Sequence, residues 1–324
     1  MKILLTGATG YIGKRLLLSL LSHGYEVVCC VRDKDRFSYP GSLDHKVSVV
    51  EVDFLDKESL KNIPNDIDGA YYLMHSMSST QDYGKLEEEC AINFRDSINK
   101  TKVRHTVFLS GIINENQLSK HLTSRMIVEN ELAKGDFHLT TLRAGIIIGS
   151  GSASFEIIRD LVEKLPFMLL PRWLRTRNQP IAIKDVISFL SLTMLNEKTY
   201  DNSFDIGGPE IITYRELLIA YSKARGLNRK IINVPLGTPV LSSYWLYFIT
   251  STSYKLSRAL VSSVSVEVVC KNNNLNKILH IQPMGYEEAL RRTLLRIEGQ
   301  HIISSWKDSM ISGNKNFKLS EFLS

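Results

Sequence analysis

The segment Lys2-Ile3-Leu4-Leu5-Thr6-Gly7-Ala8-Thr9-Gly10-Tyr11-Ile12-Gly13 decides how the rest of the chain is read. It passes from an apolar, strand-like stretch through three closely spaced glycines into a segment, 12–22, with helical periodicity. Glycine is required where the chain turns with positive φ, and where main chain must approach a phosphate with no Cβ in between. A helix that opens here points its unpaired N–H groups, and the positive end of its dipole, at the same place. Strand, glycine turn and helix in this order predict a dinucleotide-binding turn, with Gly7, Thr9, Gly10, Tyr11, Ile12 and Gly13 around the pyrophosphate.

Outward from this turn, short apolar runs at 2–6, 26–31, 47–52, 69–74, 105–110 and 138–143 alternate with helical segments at 12–22, 57–62, 85–100 and 122–133. Strands apolar on both sides belong to a parallel sheet covered on both faces. Right-handed crossovers then predict an α/β, Rossmann-type doubly wound sheet. Residues 1–150 are expected to form the dinucleotide-binding domain. Residues 151–324 are expected to form a smaller C-terminal substrate-side region, partly interleaved with the sheet. There the pattern predicts a helix at 155–164 stopped by Pro166, a strand at 180–183, a helix from Lys184 and a strand at 204–206. Gly207-Gly208-Pro209 is a turn, and Thr213 with Glu216 makes a capping box for a helix to Arg225. A strand at 231–234 and a helix at 285–298 follow. The stretch 238–269 is ambiguous, and 307–324 lacks apolar periodicity.

Composition narrows the class. With 19 Gly, 9 Pro and 4 Cys in 324 residues, collagen-like, disordered and disulfide-stapled chains are excluded. The net charge of +6 suits an anionic ligand, but its Lys and Arg are scattered among acids, so no nucleic-acid partner is expected. The one dense basic cluster is Arg172, Arg175 and Arg177, read as a clamp for an anion or as a solvated loop. Cys29, Cys30, Cys90 and Cys270 lack metal-ligand spacing, so no metal and a reducing cytoplasm are expected. No signal peptide is read at the start. The apolar run Tyr244-Trp245-Leu246-Tyr247-Phe248-Ile249 is too short to span a bilayer, and reads as packing or as a membrane-surface or partner contact.

The end of the second strand bears on the cofactor. An acid there binds the ribose 2′-hydroxyl of NAD, but this position is Val31, followed by Arg32, which can pair with a 2′-phosphate. NADP is therefore expected, with NAD kept open by Asp33.

The spacing Gly7-x-x-Gly10-x-x-Gly13 resembles that of the extended and atypical short-chain dehydrogenase/reductase superfamily, and the resemblance runs along nearly the whole chain. It implies that Asp53, with its neighbour Phe54, lies against the adenine ring. It also implies that Leu73-Met74-His75-Ser76-Met77 lines the nicotinamide side. Working members use a Ser or Thr after the fifth strand and a Tyr-x-x-x-Lys on the next helix. Here the Ser position is Ser110, the Lys position is Arg125 and the Tyr position is His121. Arginine stays cationic and can hold a ribose. Imidazole is no phenol, although it donates a proton near neutral pH. Tyr71, Tyr72 and Tyr83 are the other phenols in reach, the first two read as strand core. The segments 142–156, 179–186 and 204–210 resemble an atypical subgroup related to NmrA-like regulators and a complex I accessory subunit. The resemblance implies a reductase or epimerase-like oxidoreductase acting on a small molecule. Its alternatives are a redox sensor or assembly scaffold that holds the cofactor without chemistry, and quinone or lipid-carbonyl reduction at a membrane surface. Oligomeric state is not read.

Overall fold

The computed structural model describes residues 1–39, 45–75, 83–113, 120–170, 175–233, 266–299 and 303–305. In chain order the elements are β1 (Lys2–Leu5), α1 (Tyr11–Ser22), β2 (Glu26–Val31), β3 (Val47–Glu51), β4 (Gly69–Tyr72), α2 (Tyr83–Ile98), β5 (His105–Gly111), α3 (Lys120–Leu132) and β6 (His138–Ala144). Then come β7 (Ile147–Ile148), α4 (Ala153–Lys164), β8 (Phe167–Leu170), β9 (Arg177–Asn178), β10 (Ile181–Ala182), α5 (Ile183–Thr193) and β11 (Asn202–Ile206). They are followed by β12 (Ile212–Thr213), α6 (Tyr214–Ala224), β13 (Lys230–Asn233), α7 (Leu275–Ile278) and α8 (Tyr286–Glu298).

Seven strands form one parallel sheet in the order β11-β6-β5-β4-β1-β2-β3. The fold is the Rossmann-type α/β arrangement expected from the strand–helix alternation. The period of two along each strand explains the two cores. Ile3, Leu5, Val27, Cys29 and Tyr71 face Leu16, Leu17 and Leu20 of α1 and Phe189 and Leu190 of α5. Leu4, Val28, Cys30, Ala70, Tyr72 and Phe108 face Ala91, Phe94 and Ile98 of α2 and Val128 and Leu132 of α3. Beyond the sheet, α4, α6 and α8 pack around Phe155, Leu217, Tyr221 and Leu290.

Residues past 150 contribute to the main sheet. β11 pairs with β6, setting Phe204 beside Leu142. Helix α5 is tied to the nucleotide half by Ser19–Ser191 (2.8 Å) and by the Tyr71 hydroxyl, which donates to the Leu190 carbonyl at 2.9 Å. The capping box at Thr213 and Glu216 is present at the start of α6. One expectation fails: 57–62 holds only a 3-10 turn, Ser59–Asn62, ended before Pro64. That stretch is too short to repay helix nucleation and has proline at its exit. Among the described residues no helix is long and apolar enough to cross a membrane. The stretches 171–174 and 234–265, which include Arg172 and the 244–249 patch, lie outside the described residues, as does 306–324.

Candidate active site

The chain leaves β1 in one direction, through β2 to β3, and continues from β4 on the other side. A crevice therefore opens where the C-terminal ends of β1 and β4 diverge. Thr6 pins its two walls. Its hydroxyl donates to the Tyr71 carbonyl (2.9 Å) and accepts from the Leu73 N–H (3.0 Å).

The glycine turn lies at the mouth of this crevice. Gly7 has φ +65°, and a Cβ on it would meet the Leu73 carbonyl oxygen at 2.8 Å. The Gly10 N–H donates to the Gly7 carbonyl at 2.9 Å, closing the turn. A Cβ on Gly13 would overlap that same carbonyl oxygen, so the first turn of α1 packs directly on the loop. Gly10 is the N-cap of α1 and supplies no side-chain cap, which leaves first-turn N–H groups for an external acceptor. A backbone cradle narrowed until no Cβ can enter, at the positive end of a helix, suits a pyrophosphate. The side chains around it do other work. Ile12 packs on the core, Thr9 is half-buried in the turn, and the Tyr11 hydroxyl is buried against Gly149. Behind the turn Arg15 stacks on the Tyr11 ring (4.1 Å) and donates to the Ser150 carbonyl (2.9 Å) and to Ser304.

Arg32 and Asp53 end neighbouring strands. Leu5 pairs with Cys29 and Val31 with Glu51, so both residues lie just past the sheet edge that carries the glycine turn. Arg32 is exposed. Asp33 is committed elsewhere: it caps the turn Lys34–Arg36 by accepting from the Asp35 N–H and pairs with Arg36 at 3.2 Å. Asp53 accepts from the Leu55 N–H at 3.0 Å, an Asx turn. The Phe54 ring is buried against Phe94, which leaves only main chain of this residue for a ligand.

At the reactive end, Ser110 stands at the C-terminal end of β5. It is 5% exposed, and its hydroxyl has no hydrogen-bond partner among the described residues. A buried unpaired hydroxyl costs about 1–3 kcal/mol, so this group is poised for a polar ligand atom. Arg125, the residue expected at the ribose, is turned onto main chain. Its guanidinium is 4% exposed, donates to the Met74 carbonyl at 3.0 Å and to the Leu109 carbonyl, and lies over Phe108. It ties the ends of β4 and β5 together. Burial draws its pKa below the usual arginine value. Tyr71 and Tyr72 are fully buried, and burial holds both phenols far above their ordinary pKa. The His121 and Tyr83 side chains lie outside the described residues, although both positions belong to helices.

His75 lies three residues past the end of β4. Its Nδ1 lies 2.8 Å from Glu87, which also accepts from the Ser124 hydroxyl. Burial opposes the Glu87 charge, but His75, Ser124 and Arg125 outweigh it and hold the carboxyl at about 2. Glu87 and Ser124 were not legible as site residues. The available signal was spacing: Glu87, Ala91, Phe94 and Ile98 share one face of α2, and Ser124, Val128 and Leu132 one face of α3. A carboxylate on an apolar stripe is the anomaly that would have marked Glu87.

Residues 7–145 match the family model described as NAD(P)H-binding. That match covers 139 of the 324 residues and takes in the whole glycine turn, Gly7 to Gly13. The chain is 23% identical over 253 residues to the divinyl chlorophyllide a 8-vinyl-reductase of Arabidopsis thaliana, a match covering 72% of this chain. It spans about 60% of that relative's length. It is 22% identical over 243 residues to the photosystem II assembly factor Ycf39 of Trieres chinensis, covering 73% of each. Among solved structures, the NADP(H) complex of the triphenylmethane reductase of Citrobacter sp. shares the fold with a TM-score of 0.71 at 15% identity, over 90% of this chain and 100% of that one. The glycine cradle therefore lies in the segment that matches an NAD(P)H-binding family.

Proposed function

We propose that this chain is an NADP(H)-dependent reductase or epimerase-like oxidoreductase acting on a carbonyl or hydroxyl group of a small molecule. The observation that carries the reading is the buried, unpartnered Ser110 hydroxyl at the end of β5, beside a complete phosphate cradle. A bound reduced nicotinamide would supply hydride. The chain's own part is to hold the pyrophosphate at Gly7, Gly10 and Gly13, the 2′-phosphate at Arg32 and the adenine at Asp53. Ser110 would donate a hydrogen bond to the substrate oxygen as charge develops on it. The exposed Arg32, with Asp33 drawn off to cap its own turn, supports NADP over NAD. In this reading residues 151–324 form the substrate side. The free thiols suit a reducing compartment such as the cytoplasm. The reductases among the relatives support the reaction class. Purified protein is to be titrated with NADPH and NADH by fluorescence, then given NADPH with a panel of aldehydes, ketones, enones and quinones. NADPH binding with turnover of at least one carbonyl class supports the reading, and tight binding with no turnover overturns it.

A second reading is a cofactor-holding sensor or assembly scaffold. It is favoured by the absence of a tyrosine four residues before Arg125, by the turning of Arg125 onto main-chain carbonyls, and by the similarity to an assembly factor. A crystal structure with NADPH separates the two. A nicotinamide ring plugged by side chains favours the scaffold, and open space between its C4 and Ser110 favours catalysis.

A further inference from the structure

Ser304 lies 293 positions from Tyr11 in the sequence, yet its hydroxyl donates to the Tyr11 carbonyl at 3.0 Å. That carbonyl belongs to the first turn of α1, the turn that opens the phosphate cradle. Arg15, one helical turn on, donates to the same carbonyl at 3.2 Å, to the Ser304 carbonyl at 3.3 Å and to the Ser304 hydroxyl. The hydroxyl therefore accepts from a cation and gives its own hydrogen to main chain. Both residues are buried.

Gly151 shapes the seat for this contact. Its φ is +83°, and a Cβ on it would overlap the Ser304 carbonyl oxygen. Arg15 also donates to the Ser150 carbonyl at 2.9 Å, so Ser304 is held between α1 and the loop 149–152 that leads into α4. Ile303, by contrast, is 44% exposed. Polar contacts and shape hold the segment here, and their modest net worth is set against the cost of ordering the chain.

The Tyr11 carbonyl and the Ile12 N–H belong to one peptide group. In a helix the carbonyl of such a group points toward the C-terminus and its N–H toward the N-terminus, where the cradle lies. The Ile12 N–H is one of the first-turn donors that have no intrahelical acceptor. Donors placed on the carbonyl polarise the peptide and strengthen its N–H toward an anion.

We propose that residues 303–305 are a strap that sets the first turn of α1 for a pyrophosphate, with Ser304 and Arg15 as positioning residues. The inference rests on the reading of the glycine turn as a nucleotide cradle. Docking of the strap and binding of the nucleotide then favour each other, and by linkage each strengthens the other by the same factor. The strap acts on the part that NADPH and NADH share, whereas Arg32 bears on the part in which they differ.

The experiment compares wild type with Ser304→Ala, which removes the hydroxyl, and Gly151→Ala, which fills the seat. Fluorescence titration gives the dissociation constants for NADPH and NADH, and urea midpoints report folding. Mass spectrometry follows hydrogen exchange of the 303–305 amides with and without saturating NADPH. Both variants should bind NADPH and NADH about fivefold more weakly, with the ratio of the two constants unchanged. In wild type NADPH should slow exchange of the 303–305 amides about fivefold, and Ser304→Ala should lose that protection. A merely structural brace would lower the urea midpoint and leave affinity and NADPH-dependent protection untouched; this result overturns the proposal. Weaker binding without any protection by NADPH overturns it as well. If Gly151→Ala does not fold, because alanine is strained at that φ, Ser304→Ala decides alone. If wild type binds neither nucleotide, the cradle reading fails and takes the proposal with it.

Discussion

A Cβ placed on Gly13 would overlap the Gly7 carbonyl oxygen and come within 2.8 Å of the Gly7 carbonyl carbon. These two residues hold the glycine loop against the first turn of α1, and the contact is between main-chain atoms, which have nowhere to move. Gly13→Ala is therefore expected to destabilise the fold by about 1–3 kcal/mol and to weaken NADPH binding as the loop is pushed away. Urea unfolding and fluorescence titration measure the two effects. Unchanged affinity would show that the loop does not shape the phosphate site.

Arg32 is exposed beside Asp53 at the strand ends, where a 2′-phosphate would reach in the proposed pose. Losing one charge-assisted contact is worth about 1.5–3 kcal/mol, or roughly 10- to 100-fold in affinity. Arg32→Asp should lower the preference for NADPH over NADH by that factor. The ratio of the two titrated dissociation constants checks it, and an unaltered ratio removes Arg32 from cofactor selection.

Arg125 joins β4 to β5 through two main-chain carbonyls and sits beside the buried Glu87. Arg125→Met would leave both carbonyls unpaired and Glu87 less compensated, a loss of about 3–5 kcal/mol. Arg125→Lys should recover only part, because one ammonium cannot reproduce the guanidinium's fork. Denaturant midpoints of the three proteins test the order wild type, Lys, Met.

His105 is fully buried, with Nδ1 accepting from the Leu195 N–H at 2.9 Å and Nε2 2.8 Å from Thr140. The Thr140 hydroxyl donates to the Thr199 carbonyl, so it accepts from the imidazole and the ring is the neutral Nε2–H form. Burial, with His138 nearby, lowers the pKa to about 3. In the unfolded chain the ring protonates near its ordinary 6.5, so between these values the unfolded state binds more protons. Stability is complete above about pH 6.5 and falls with acidification by up to about 1.4 kcal/mol per pH unit until near pH 3. Urea midpoints at pH 7, 5.5 and 4.5 should show this slope, and His105→Gln should reduce it.

Strand positions were legible because Ile3, Leu4 and Leu5 are all apolar, as a doubly covered strand requires. The glycine turn was legible because only glycine tolerates the Gly7 backbone and the Gly13 contact. Motif spacing locates Arg125 on its helix but does not say where its long flexible side chain turns. Likewise, the adjacency of Phe54 to Asp53 says nothing about which face its ring takes. Glu87 differs from Glu88 and Glu89 only in sharing a helix face with Ala91, Phe94 and Ile98, a signal that shows burial but not the partners it meets.

The amino-acid order alone determined the layered α/β architecture and the place of the phosphate cradle. Both follow from local causes, namely residue size, hydrophobic period and the conformational freedom of glycine. Only the tertiary structure decided which polar groups meet across elements: Thr6 with Tyr71 and Leu73, Arg125 with Met74 and Leu109, and His75 with Glu87 and Ser124. Those meetings depend on crossovers that bring together residues dozens of positions apart, and on burial that makes each unpaired group costly, so no local pattern encodes them.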